Sequence, residues 1–339
     1  MLKPVNLISD TQTLPTDPMR AAIAAAEVGD EQAGTDPTVE RLNRRVAELA
    51  GMEDAVFVPS GTMANLVAAA TWTDRGDAVI AGGSSHSVEA EAGSFAAVAG
   101  VLPVLVPGDG RFTADALGEH LEPGNRFRPN PTLVVLEQTV NYGGGLVWDR
   151  SDWYGVAREA RDADLAVHVD GARVFNATVA TGTTLDAWTR PVDSIYIDFT
   201  KGLGAPFGAV LAGPAAFIDE AARWKHRLGG AMRQAGMMAA ACIHALDHHV
   251  DRLDEDHERA RSLSRCLAEL GCEVQQPETN MVWFTPPTNG PSLADTQRRL
   301  GDHGVDVGVL RGRIRLVTHL DIDDDAIDRA RRALRRVLG

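Results

Sequence analysis

Cysteine is scarce in this chain: three in 339 residues, Cys242, Cys266 and Cys272, with no CxxC spacing among them. That excludes a disulfide framework or a cysteine-rich zinc site, and free buried thiols in a reducing cytoplasm are the expectation. Positive charge is also short. Lys and Arg number 33 against 47 Asp and Glu, a net charge of −14, so the average surface repels phosphate backbones and anionic lipid. No nucleic-acid or membrane partner is expected. The arginines at 329, 331, 332, 335 and 336, with Asp323, Asp324 and Asp325 upstream, read as a last helix whose end charges suit its dipole. The longest apolar run, near 237–243, is far below the ~20 residues that cross a bilayer, and residues 1–13 carry no apolar export core. Low-complexity tracts and internal repeats are missing as well.

What is present is an ordinary globular composition, 44% hydrophobic and 24% charged, in a chain long enough for a large domain and a smaller one. Short β-branched runs at 55–59, 78–81, 101–106, 133–137, 165–170, 194–198 and 208–212 alternate with helical patterns. This predicts an α/β fold with a mostly parallel seven-stranded sheet and helices on both faces. Helix starts are marked by Asp36 before Pro37, Ser60, Thr113, and Ser151 before 152–163. From Gly236 to about Leu270 the pattern becomes long helices. A tail then reads strand 273–276, strand 281–285, helix 292–303, strand 314–317 and helix 323–338. The expected organisation is an extended N-terminal arm over 1–16, a large α/β domain over 17–245 and a small α+β domain over 246–339.

Three local runs could carry chemistry. Pro59-Ser60-Gly61-Thr62-Met63-Ala64-Asn65 is a strand ending in a Ser-Gly-Thr turn that opens a helix; its free N–H groups, hydroxyls and helix dipole suit a phosphate, although Ser60 also serves as a plain N-cap. Neither a GxxxxGK[ST] loop nor a placed GxGxxG is present, which disfavours a nucleoside triphosphate or a dinucleotide. His168-Val169-Asp170-Gly171-Ala172-Arg173 puts Asp170 at the carboxyl end of a buried strand, where it needs a cation: Arg173 as a structural partner, or a cofactor's pyridinium nitrogen. In Ser194–Asp198 followed by Phe199-Thr200-Lys201-Gly202, a lysine directly follows an apolar strand, a placement that packing does not require and Schiff-base chemistry does.

Together these runs resemble the threonine aldolase/β-eliminating lyase family of fold-type I pyridoxal 5′-phosphate enzymes. The resemblance spans nearly the whole chain: Ser9-Asp10-Thr11, Val28-Gly29-Asp30 with Gly34-x-Asp36-Pro37, the Ser-Gly-Thr-Met-x-Asn turn, His86 followed by Glu91-Ala92-Gly93, Val169-Asp170-Gly171-Ala172-Arg173, Thr200-Lys201-Gly202-Leu203-Gly204, Gly229-Gly230-x-Met232-Arg233, and Arg315-Leu316-Val317-Thr318-His319. It implies that Lys201 holds pyridoxal 5′-phosphate covalently, that Asp170 pairs with the ring nitrogen, and that Gly61, Thr62 and Thr200 hold the phosphate. It further implies that Arg233 binds an anion in a site shared with a neighbouring subunit. His86 would stack on the ring near the substrate β-hydroxyl, and Ser9, Arg173 and Arg315 would grip the α-carboxylate. The implied reaction is retro-aldol cleavage of β-hydroxy-L-amino acids such as threonine, allo-threonine and phenylserine to glycine and an aldehyde, in a homodimer or homotetramer.

Some positions depart from the family pattern. A family tyrosine is replaced within Gln32-Ala33-Gly34, Glu-x-Thr-His-Asn reads Glu137-Gln138-Thr139-Val140-Asn141, and no histidine lies between His120 and His168. One reading is a larger pocket, with Ala33 and Val140 making room for a bulkier substrate. The other is a different reaction of the same cofactor: β-elimination, racemisation or transaldol exchange. Retention of the anchoring residues favours the first, and argues against a cofactor-free scaffold protein. His244 and His248, four apart without an HExxH glutamate, read as helix-surface or interface residues, and His249 and His257 in an acidic stretch read as a solvated face.

Overall fold

The computed structural model describes residues 3–339. Two sheets organise it. The strands in chain order are β1 (Val5–Leu7), β2 (Asp54–Val58), β3 (Ala78–Gly82), β4 (Leu102–Val106), β5 (Pro131–Glu137), β6 (Ala166–Gly171), β7 (Ser194–Asp198), β8 (Ala209–Gly213), β9 (Glu273–Gln275), β10 (Met281–Thr285), β11 (Val305–Leu310) and β12 (Arg313–Val317).

The seven-stranded sheet runs in the order β2-β8-β7-β6-β5-β3-β4. The pairs from β7 through β4 are parallel, and β8 is antiparallel to both of its neighbours. Strands β3, β7 and β8 are buried along their whole length. Continuous apolar runs such as Ala78-Val79-Ile80-Ala81 have that character because helices cover both faces of a parallel sheet. Asp36 caps helix Pro37–Ala50 by accepting from the Thr38 and Val39 N–H groups, and Ser60 caps Gly61–Trp72 by accepting from Met63 N–H. The helix expected over 152–163 behind Ser151 begins two residues earlier, at Arg150, because Asp149 is its cap and accepts from Ser151 N–H at 2.7 Å. Under the sheet, Trp148, Trp153 and Trp188 pack edge to face in sequence, with centroids 5.6 and 5.4 Å apart.

The second sheet has the order β1-β11-β12-β10-β9, flanked by helices Leu253–Glu269, Leu293–Asp302 and Asp324–Leu338 around a separate core. Two of its strands lie outside the sequence reading. β11 has no counterpart among the expected strands; alternation of Val305, Val307 and Val309 with Asp306 and Gly308 marks it, and a two-residue turn at Arg311-Gly312 folds it onto β12. β1 comes from the N-terminal segment, which runs parallel to β11 with Val5 opposite Val305.

Cys242 and Cys266 are buried free thiols, whereas Cys272 is half-exposed. His249 and His257 are buried, contrary to the solvated face expected of them. His249 hydrogen-bonds the Leu203 carbonyl through Nδ1 at 2.7 Å, and His257 Nε2 lies 3.1 Å from Asn176 Nδ2. These partners come from other elements, which is why the acidic neighbours in sequence misled. His244 is half-exposed and His248 exposed, with ring centroids 4.5 Å apart.

Candidate active site

The carboxyl ends of β3, β5, β6 and β7 converge with β12 and the segment after β1 around a cavity of about 310 Å³. Ligands of open α/β sheets sit at such strand ends. Lining residues include Ser9, His86, Glu137, Asn141, Tyr142, Arg173, Lys201, Leu310 and Arg315. Of the candidates named from sequence, Ser9, His86, Arg173, Lys201 and Arg315 therefore meet there.

Lys201 follows β7 by three residues. Asp198 closes that strand: its Oδ1 accepts from the Thr200 N–H and hydroxyl, each at 2.7 Å, while its other oxygen pairs with the Lys201 ammonium. The Lys201 carbonyl accepts from Gly204 N–H at 2.9 Å, and Gly204 adopts φ +73°, a left-handed conformation that suits glycine. The lysine loop is thus fixed by its own strand end, and the His249 ring holds it at Leu203.

Asp170 lies behind the cavity wall and is fully buried. Its carboxylate accepts from Ala172 N–H at 3.1 Å and from the Asn65 amide at 2.9 Å. Among the described residues it makes no ion pair with lysine or arginine. Arg173, its sequence-based candidate partner, turns instead to Asp10, donating from Nε at 2.7 Å and from Nη2 at 2.6 Å. Burial alone would raise the Asp10 pKa, but the bidentate Arg173 guanidinium overcomes it and holds the carboxyl well below the usual range.

Asn65 also donates to Glu91 at 2.9 Å, and Glu91 faces His86 Nδ1 at 3.2 Å. The hydrogen bond that His86 makes to the Glu91 carboxylate raises the His86 pKa, while burial and the nearby Asp170 raise that of Glu91. His86, Glu91 and Asp170 place ligand atoms within 4.8 Å of one another, as a cation site would, but the Asn65–Glu91–His86 bonds already engage them.

Arg315 donates from Nη2 to the Ile8 carbonyl at 3.1 Å and from Nη1 to Asn141 Oδ1 at 3.3 Å, and its Nε is buried without a partner. Burial and the neighbouring Arg173 push its pKa down. An incoming carboxylate would relieve both conditions.

Gly61, Thr62, Thr200 and Arg233 do not line the cavity. Gly61 opens its helix beside Tyr196, whose Oη would stand 2.8 Å from a Cβ at that position, and Tyr196 is the register partner of Asp170. The helix start and Asp170 are therefore coupled through one ring. Arg233 is exposed and paired with Asp30 at 2.8 Å.

Sequence reasoning gave no role to Glu137, Asn141, Tyr142 or Leu310. Glu137 had a visible signal, since it ends a buried apolar strand as Asp170 does. It accepts from the His86 and Asn141 N–H groups at 2.9 and 2.8 Å, and burial together with Asp170 pushes its pKa up to about 7. Neither Val140 nor Ala33 lines the cavity of this chain. Val140 is fully buried, packed against Gly110 and Gly143, and Ala33 is exposed on a separate turn. Backbone pairing of Val140 with Leu146 turns the first side chain into the core and leaves Tyr142 facing the pocket.

This donor set fits pyridoxal 5′-phosphate. A fully buried carboxylate without an ion-pair partner suits a protonated ring nitrogen, a lysine amine at the cavity suits a covalent link, and helix-start N–H groups suit a phosphate.

Known proteins agree with this geometry. The family model described as "Beta-eliminating lyase" matches residues 6–286. The chain is 37% identical over 325 residues to the low specificity L-threonine aldolase of Escherichia coli K12, covering 95% of this chain and 96% of that one. Among solved structures, the Leishmania major threonine aldolase superposes with a TM-score of 0.85 at 21% identity, covering 99% and 100% of the two chains. A double mutant of Thermus thermophilus aspartate aminotransferase gives 0.75 at 16% identity, covering 99% and 92%. The architecture is fold-type I, and the chain belongs to the beta-eliminating lyase family.

Proposed function

We propose that this chain is a pyridoxal 5′-phosphate-dependent lyase that cleaves β-hydroxy-L-amino acids of the threonine class to glycine and an aldehyde. The observation that carries the reading is one cavity holding Lys201 and the open Arg315 guanidinium in front of the buried, cation-free carboxylate of Asp170. The 37% identity to the Escherichia coli enzyme supports the substrate class and the L preference.

Lys201 would hold the cofactor and give it up to the substrate amine. Bound there, the cofactor supplies an electron sink for negative charge at Cα. Asp170 would keep its ring nitrogen protonated, with Asn65 fixing the carboxylate. Gly61, Thr62 and Thr200 would hold the phosphate. Arg315, with Ser9 beside it, would bind the α-carboxylate and so set which Cα bond stands perpendicular to the ring. Arg173 is committed to Asp10, and its part is to support that clamp through Asn141, whose Oδ1 lies 3.5 Å from its Nη1. His86 would cover the ring face. With Nδ1 on Glu91, its Nε2 remains to take the β-hydroxyl proton.

The same reading makes the protein a cytoplasmic homodimer or homotetramer with shared sites. Arg233 would serve a neighbouring copy, and the exposed apolar side chains of Leu14, Val28 and Met237 support a covered surface. It also divides the chain into an arm at 1–16, a cofactor domain at 17–245 and a small domain at 246–339.

The test is aldehyde release from L-threonine, L-allo-threonine and L-phenylserine by protein loaded with cofactor, with Lys201→Ala as the blank. Release by the parent alone is expected. Bound cofactor without aldehyde from any of the three, with pyruvate formed from L-serine, would overturn the reading in favour of elimination.

A further inference from the structure

Three parts of the chain meet at the cavity mouth in a contact that the catalytic reading does not use. The Tyr142 ring lies 6.1 Å from the His86 ring at an interplanar angle of 28°, and the Arg311 guanidinium sits 4.2 Å from the Tyr142 centroid. Arg311 also ion-pairs with Glu89, on the short helix that begins at His86. The cation is thus held on two sides, and it fixes the aromatic ring beside it.

The backbone at Arg311 sharpens the point. Leu310 pairs with Arg313 across a two-residue turn in which Arg311 has φ +50° and Gly312 has φ +72°. Both are left-handed, as the tight hairpin twist requires, and the first position favours asparagine, aspartate or glycine over a long side chain. Arginine is a poor choice there on backbone grounds. Its contacts to Tyr142 and Glu89 supply the reason for it.

Tyr142 follows Asn141, whose Oδ1 lies 3.3 Å from Arg315 Nη1. A carboxylate on Arg315 therefore leaves the rest of an amino acid within side-chain reach of the Tyr142 ring, with Leu310 also on the cavity wall.

We propose that Tyr142, braced by Arg311, is the wall that receives the substrate's β-substituent, and that it selects β-hydroxy amino acids with an aryl or similarly broad apolar group over those with a β-methyl. The selection deepens the retro-aldol reading and rests on it. A flat aromatic plate gains contact area and favourable ring geometry with an aryl group and little with a methyl. Because Arg311 orders the plate before substrate arrives, the contact costs little further ordering.

The experiment compares kcat/KM for L-phenylserine and L-threonine in the parent, Tyr142→Phe, Tyr142→Ala and Arg311→Ala. In parallel, L-phenylalanine and L-alanine, which lack a β-hydroxyl and cannot be cleaved, are titrated against the visible spectrum of the cofactor-loaded protein. Tyr142→Ala is expected to lower the phenylserine-to-threonine ratio about tenfold, and the phenylalanine-to-alanine affinity ratio by a similar factor. Tyr142→Phe should keep both ratios near the parent's, and Arg311→Ala should lower both in the same direction by less. Equal losses for both members of each pair, or ratios unchanged in Tyr142→Ala, overturn the proposal. If the parent cleaves neither hydroxy acid, the retro-aldol reading fails, while the phenylalanine-to-alanine ratio still decides the role of Tyr142.

Discussion

Asp10 and Arg173 form a buried bidentate pair, 2.7 Å from Nε and 2.6 Å from Nη2, that joins the N-terminal segment to the turn after β6. Asp10 also accepts from the Asn280 amide at 3.1 Å, so this buried carboxylate ties the turn after β6 to the residue before β10. Asp10→Asn leaves a buried guanidinium without its counter-charge and should cost about 3–5 kcal/mol of stability. Urea unfolding of the cofactor-free protein measures this. A loss below about 1 kcal/mol would mean that the pair is solvated and does not organise the site.

Among the described residues, Lys201 is the only lysine lining the cavity. Borohydride reduction of the cofactor-loaded protein, followed by peptide mapping, should find the cofactor fixed at residue 201. Lys201→Ala should show no reducible link and no aldehyde release. A link retained elsewhere in that variant would displace the assignment.

Asp170 gives a prediction with two opposite signs. Asp170→Asn removes a buried charge with no ion-pair partner, so the cofactor-free protein should unfold at a higher temperature than its parent. The same change deletes a charge-assisted hydrogen bond to the ring nitrogen, worth about 1.5–3 kcal/mol, and should weaken cofactor binding by roughly 10- to 100-fold. Calorimetry and equilibrium dialysis test the two halves. Unchanged cofactor affinity would remove Asp170 from its role.

Glu137 links stability to pH. Its folded-state value of about 7 lies above the ordinary 4.5, because burial and Asp170 disfavour its charge. Its contribution is fully present below about pH 4.5 and is lost as the pH rises through about 7, since the folded state then holds more protons than the unfolded one. The cofactor-free protein should therefore lose stability over that window, and Glu137→Gln should flatten the slope. A parent whose midpoint rises from pH 5 to 7 by as much as the variant's would refute the linkage.

Much of the site was readable because strand ends announce themselves. A continuous apolar run terminated by Asp170, or followed closely by Lys201, leaves a polar group where only a ligand or a specific partner can satisfy it, and neither requires knowledge of the rest of the chain. What escaped depended on partners distant in sequence. Spacing offers Arg173 as one candidate cation for Asp170, three residues away, yet its fork is filled by Asp10 from the far end of the chain. Val140 looked like a substitution at the pocket, but a bridge to Leu146 points it into the core and hands the pocket to Tyr142. β11 carries the alternation of a half-buried strand but escaped because it is short and its parallel neighbour β1 lies some three hundred residues upstream. His249 ends one helix and His257 lies in the next, acidic one, and only the packing of these elements against the Lys201 loop and Asn176 buries them.

The pairing of Val5–Leu7 with Val305–Leu310 also sets an order of assembly. The first strand has no partner to rest on until nearly all of the chain exists, and contacts so far apart in sequence close late. Ser9, Asp10 and the Ile8 carbonyl, which reach the cavity only through that strand, are therefore among the last groups to arrive. The cofactor pocket is finished by the chain's beginning, and a tag or cut that hinders residues 5–7 would silence the site while leaving the large sheet intact.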